Sequence, residues 1–96
     1  MRFFPSSGYR LGSNQVASYT STSTPISTAF QAGTNMVRLL ASTSCHIKFG
    51  FAPTATTSDA RLTANIPEYL VVTPGVKVAA IRTTTSGTLH VTEVSG

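Results

Sequence analysis

Ionic side chains are scarce in this 96-residue chain: Asp, Glu, Lys and Arg make up 10% of it, against roughly 25% in an ordinary soluble domain. Acidic groups are scarcer still, with Asp59, Glu68 and Glu93 the full set. That leaves few groups for general acid/base work, and no two of the three have the spacing of a catalytic pair. Cys45 is the only cysteine, so an internal disulfide is excluded and packing or neighbouring subunits must hold the fold. No apolar run approaches the ~18 residues of a membrane span. Met1-Arg2-Phe3-Phe4 runs straight into Pro5-Ser6-Ser7-Gly8, so the start reads as that of a cytosolically made chain without an export signal.

Further absences narrow the chemistry. There is no Gly-x-Ser-x-Gly elbow and no Gly-rich phosphate loop, and Asn14, Asn35 and Asn65 begin no glycosylation sequon. Cys45 and His46 are adjacent on an alternating segment, which points them to opposite faces and rules them out as a thiol and its base. Cys45 shares its face with Ile47 and Phe49 and reads as a small buried apolar residue. His46 and His90 have no third ligand at suitable spacing, so no metal site is expected, and nothing implies a cofactor. The three carboxylates read as solvated surface groups. Tyr69 with Arg82 could form a sugar-binding or stacking surface; packing is the simpler reading. The chain is expected not to be an enzyme.

What fills the sequence instead is hydroxyl: 12 Ser and 16 Thr. An uncharged Ser/Thr surface resists association poorly and suits a subunit packed among others. The formal charge is +4, from Arg2, Arg10, Arg38, Lys48, Arg61, Lys77 and Arg82 against the three acids. No run of even three basic residues occurs. An acidic protein surface is therefore a more natural partner than nucleic acid, whose phosphates call for clustered charge.

Abundant Thr and Val favour strands, and nowhere do apolar residues keep helical spacing for three turns. Residues 1–33 are poor in large aliphatics and rich in Ser, Thr, Gly and Pro, whereas residues 34–96 hold nearly all the Val, Leu and Ile. This shift reads as an extended N-terminal arm followed by a β module that folds without it. Within the arm, residues 15–20 and 26–30 could be strands. Its aromatics, Phe3, Phe4, Tyr9, Tyr19 and Phe30, are expected to anchor it on its own domain or to clamp a neighbour.

In the module, five or so strands are expected. Residues 34–41 and 44–51 form the first two, joined as a hairpin through Thr43-Ser44. Residues 53–66 read as a long loop. Strands follow over 67–73, 76–83 and 88–94, separated by turns at Pro74-Gly75 and Ser86-Gly87. The core would use Val37, Leu39, Cys45, Ile47, Phe49, Leu70, Val72, Val78, Ala80, Leu89 and Val91. The architecture expected is all-β, a small sandwich of jelly-roll type, with an open barrel as the alternative.

The module also resembles small virion proteins of tailed bacteriophages. The resemblance rests on Met36-Val37-Arg38-Leu39, on Cys45-His46-Ile47-Lys48-Phe49-Gly50 with Pro53-Thr54-Ala55, and on Pro67-Glu68-Tyr69 and Thr73-Pro74-Gly75. It continues through Val78-Ala79-Ala80-Ile81 and Ser86-Gly87-Thr88-Leu89-His90-Val91-Thr92-Glu93. It is one of pattern and order, covers residues 36–94, and includes no catalytic motif. It implies a non-enzymatic protein of the virion, made in the host cytoplasm, of the capsid decoration or cement type. Its implied partners are the major capsid protein and copies of itself, as a homotrimer, with no membrane. A head–tail connector or tail component is the alternative it leaves, and a carbohydrate- or ligand-binding module is the alternative outside it. Modest contacts repeated by symmetry would add up, and open sheet edges would offer strand addition.

Overall fold

The computed structural model describes residues 10–95. All regular elements among them are strands: β1 (Arg10–Tyr19), β2 (Thr24–Pro25), β3 (Met36–Ala41), β4 (Cys45–Gly50), β5 (Ala60–Leu62), β6 (Glu68–Val71), β7 (Lys77–Arg82) and β8 (Gly87–Ser95). They form two antiparallel four-stranded sheets, ordered β1-β8-β3-β6 and β2-β7-β4-β5. Pairing β1 with β8, β2 with β7, β3 with β6 and β4 with β5 is a long hairpin rolled upon itself. The roll is closed by β3 on β8 and β4 on β7. This is the jelly-roll form of the sandwich, as the strand pattern leads one to expect.

Period-two burial explains why each strand sits where it does. β3 alternates half-buried and buried along its whole length, with Val37, Leu39 and Ala41 inward. On β4, Cys45 and Ile47 are buried while Lys48 is exposed. The expected core residues all lie in one hydrophobic cluster, with Phe49 and Leu70 partly buried against it. The rings of Phe30 and Phe49 lie 6.3 Å apart and tilted by 43°, joining the N-terminal third to the second sheet.

That contact bears on the largest correction. Residues 10–33 are not an arm outside the module. β1 pairs along the length of β8, β2 pairs with β7, and Ile26 and Phe30 continue along β7 by donating their N–H groups to Val78 O and Val76 O at 2.9 Å each. Tyr19 and Phe30 are expected to anchor the N-terminal segment on its own domain or to clamp a neighbour. They are core residues, 0% and 2% exposed. The physical reason is that a few large side chains, well placed, close a small sandwich as effectively as a run of aliphatics. Residues 34–96 alone would leave β8 and β7 without their outer partners and the core without Tyr19, Ile26 and Phe30, so they are not a self-sufficient module. Phe3, Phe4 and Tyr9 lie outside the described residues.

Three further expectations are corrected. Thr43-Ser44 does not close a hairpin, because β3 and β4 belong to different sheets. The connection crosses the sandwich and is pinned by Tyr19, whose hydroxyl donates to Thr43 O (2.6 Å) and accepts from Thr43 N (3.1 Å). Residues 53–66 are not all loop: Ala60–Leu62 pairs with Cys45–Ile47 as the edge strand β5. Asp59 sets up that strand by accepting the Thr56 N–H at 2.7 Å, a bond that holds its carboxyl below the ordinary value of 3.8. Tyr69 and Arg82 stand on different sheets; the cross-strand partner of Tyr69 is Arg38.

Two glycines are required by geometry. Gly75 adopts φ 88° after Pro74, as the turn demands. At Gly87 a Cβ would come within 2.4 Å of Thr43 Oγ1, 2.6 Å of Ser42 Oγ and 2.8 Å of the Tyr19 hydroxyl. Three hydroxyls close on this backbone, where β8 begins beneath the crossing.

Candidate interaction faces

The two sheets present unlike outer faces, and the register shows how. On the first sheet Leu11, Val94, Met36 and Val71 form one cross-strand row. Its ends are open to solvent, Leu11 at 63% and Val71 at 81%. The next row is Asn14, Thr92, Arg38 and Tyr69, tied by a 2.7 Å bond from the Thr92 hydroxyl to Asn14 Oδ1. The third is Val16, His90 and Leu40, with Val16 at 54%. This outer face thus sets the open apolar side chains Leu11, Val16 and Val71 among Asn14, His90 and the basic Arg38, with Val94 and Thr92 buried between them. Such a surface is the usual mark of a contact site rather than of a solvated one.

The second sheet turns out cations. His46 and Arg61 are direct cross-strand partners, Lys48 lies two residues along β4, and Lys77 pairs with Gly50 at the far end of β7. Between them stand Pro25, Ala79 and Ile81, with no aromatic ring among the outward strand positions. His46 Nδ1 lies 2.9 Å from the Asp59 carbonyl. A carbonyl only accepts, so Nδ1 carries the proton and Nε2 is the free nitrogen of the neutral ring.

Glu93 departs from the expectation of three solvated carboxylates. It is 8% exposed. It points inward at the rim of the sandwich, where Thr34 Oγ1 donates to its Oε1 at 2.5 Å and Gln31 N–H to its Oε2 at 3.3 Å. Beside it opens a cleft of about 300 Å³ bounded by Gly12, Ser13, Gln31, Gly33 and Thr34. Its position was missed because strand alternation gives the face a residue points to, but not how deeply the end of a strand is covered. Asp59 and Glu68 do lie at the surface.

Among the described residues no three His, Cys, Asp or Glu side chains come together as a metal site would need. Cys45 is 0% exposed, and burial pushes its thiol above the ordinary value of 9.0. The described residues thus present a face with open apolar side chains, a basic face and a small cleft beside Glu93. No family model matches the chain, and neither a curated protein nor a solved structure matches it.

Proposed function

We propose that this chain is a non-enzymatic structural subunit of a tailed-phage particle, a decoration protein that binds and braces neighbouring major capsid subunits. The observation that carries this reading is the outer face of the first sheet. Leu11, Val16 and Val71 stay open to water in a chain that has few charges elsewhere to keep it dispersed. Apolar exposure of this kind is relieved by docking on another protein. The basic face of the second sheet complements an acidic neighbour, which adds orientation and speed of encounter. Jelly rolls serve in viral capsid and lectin domains. That likeness supports the reading only as fold-level analogy, since one fold hosts many functions.

The test is co-sedimentation of the purified chain with phage heads that lack it, followed by a count of bound copies. Decoration requires saturable binding at hundreds of copies per head, whereas about six or twelve would mean a connector at the head–tail joint. Val71→Lys, which puts a charge on the apolar face, is expected to weaken binding at least about tenfold while leaving the fold intact. A variant that binds as well as the original, or no saturable binding at all, removes the proposal.

A further inference from the structure

A sandwich has four edge strands, and here they are β1 and β6 in the first sheet and β2 and β5 in the second. Natural proteins blunt such edges because an unpaired row of N–H and C=O groups is a template for another strand. Three of the four are blunted. β2 is two residues long and ends in Pro25, which has no N–H to offer. The chain beyond it is covered by Gln15, whose side chain donates to Thr28 O at 2.8 Å and accepts from Thr28 N at 3.1 Å. β5 has three residues with Asp59 before it and Arg61 within it, and β6 has four, opening on Pro67-Glu68.

β1 has none of these protections. It runs for ten residues, and from Leu11 to Tyr19 it contains neither a proline nor a charged side chain. It bonds β8 on one side, and no backbone group of the described residues bonds its other side. Gln15 and Ser13 reach down to residues 28 and 31 and close the flank of the sandwich beneath the edge, and among the described residues none covers the edge itself. A register shift between Leu11 and Asn14 limits the regular stretch to residues 14–19.

We propose that β1 pairs antiparallel with β1 of a second copy, joining the two first sheets into one continuous sheet about a two-fold axis. Antiparallel pairing of identical segments is self-complementary. A two-fold axis normal to the sheet keeps outward residues on the outward face. With outward positions at Asn14, Val16 and Ser18, it sets Val16 against its own copy and Asn14 against Ser18. No like charges meet: Arg10, the one charged residue of β1, lies at the strand's end, beyond the regular stretch. The half-exposed Val16 gains an apolar cross-strand partner, and both unpaired backbones are satisfied. The second copy is thus a partner of the right shape, charge and direction. The pairing does not depend on the virion reading.

Sedimentation velocity of the full chain over ~1–300 µM measures it. A reversible dimer is expected, little affected by salt because no ion pair holds it. Val16→Lys places two ammonium groups opposite each other and should weaken the dimer at least about tenfold. Val71→Lys, on β6 at the opposite edge of the same sheet, should leave it unchanged. Hydrogen exchange of the original chain provides a second reading that needs no variant: amides within 14–19 should slow as concentration rises. A monomer throughout, a trimer, or a dimer indifferent to Val16→Lys overturns the proposal. So does a dimer lost in Val71→Lys instead. Head binding is read in a separate assay, so either idea can fail alone.

Discussion

Removing the Tyr19 side chain asks whether the N-terminal third belongs to the folding unit. The ring is 0% exposed in the core cluster, and its hydroxyl holds the β3–β4 crossing through Thr43 O at 2.6 Å, Thr43 N at 3.1 Å and Thr43 Oγ1 at 2.9 Å. Tyr19→Phe keeps the packing and deletes the hydroxyl. It leaves the Thr43 carbonyl and N–H short of a partner in a part-buried site, a loss of about 1–3 kcal/mol. For a domain of this size each kcal/mol lowers Tm by about 4–8 °C. Tyr19→Ala adds a cavity where the ring stood, for a total of at least about 3–5 kcal/mol. Net stabilities of small domains are about 5–15 kcal/mol, so this change takes much of the whole.

Urea and thermal melts followed by circular dichroism measure all three proteins, with Ser18→Ala, on the exposed side of the same strand, as the control expected within about 0.5 kcal/mol of the original. The order expected is original and control, then Phe, then Ala. If Tyr19→Ala melts with the original, residues 10–33 are peripheral and the assignment of Tyr19 to the core is wrong.

Other outcomes follow from the same contacts. Deleting residues 1–30 should give a chain without a cooperative melt, because β1, β2 and the core side chains of Ala17, Tyr19, Ile26 and Phe30 go with them; a sharp two-state melt would count against the single folding unit. Gly87→Ala should cost about 2–4 kcal/mol, since the new methyl displaces hydroxyls already bonded to Thr43, Thr85 and Thr88, and a melt equal to the original would show the crossing to be loose. Thr34→Val should lower stability at neutral pH by about 1.5–3 kcal/mol by removing the closest donor to the buried Glu93 carboxylate; no change would mean that another donor takes its place. Asp59 should titrate below 3.8 in a carbon-detected NMR titration, because the Thr56 N–H favours its charged form. A folded value below the unfolded one means that its stabilising effect is complete above the unfolded value and is lost as pH falls through the folded one. Titration at or above 3.8 contradicts that bond.

The errors of sequence reading have a common cause. Alternation in 45–49 and 88–91 declared two strands and their inward faces correctly, because period two follows from local backbone geometry. The turn at Pro74-Gly75 was equally legible, as its positive φ belongs to the residues themselves. Reversals, however, are local and pairing is not. Thr43-Ser44, Pro74-Gly75 and Ser86-Gly87 all reverse the chain, yet each carries it across to the other sheet. β5 was missed because three residues with one buried leucine carry no period.

The candidate faces divide in the same way. That His46 and Lys48 point away from Cys45 could be read from their spacing. That Arg61 stands opposite His46, or that Leu11, Val94, Met36 and Val71 share a row, required the register. Glu93 looked like a surface carboxylate by composition and became a buried one through Thr34 and Gln31, about sixty residues away.

Composition and period alone determined an all-β chain, its central core residues and its shortage of catalytic groups, since these follow from backbone sterics and from which side chains are present. Only the tertiary structure decided that the polar N-terminal third supplies Tyr19, Ile26 and Phe30 to the core, and that β1 is a long edge strand whose outer side no other described residue pairs. Both depend on hydrogen bonds and burial between residues distant in the chain, and no local pattern records which strand will lie beside which.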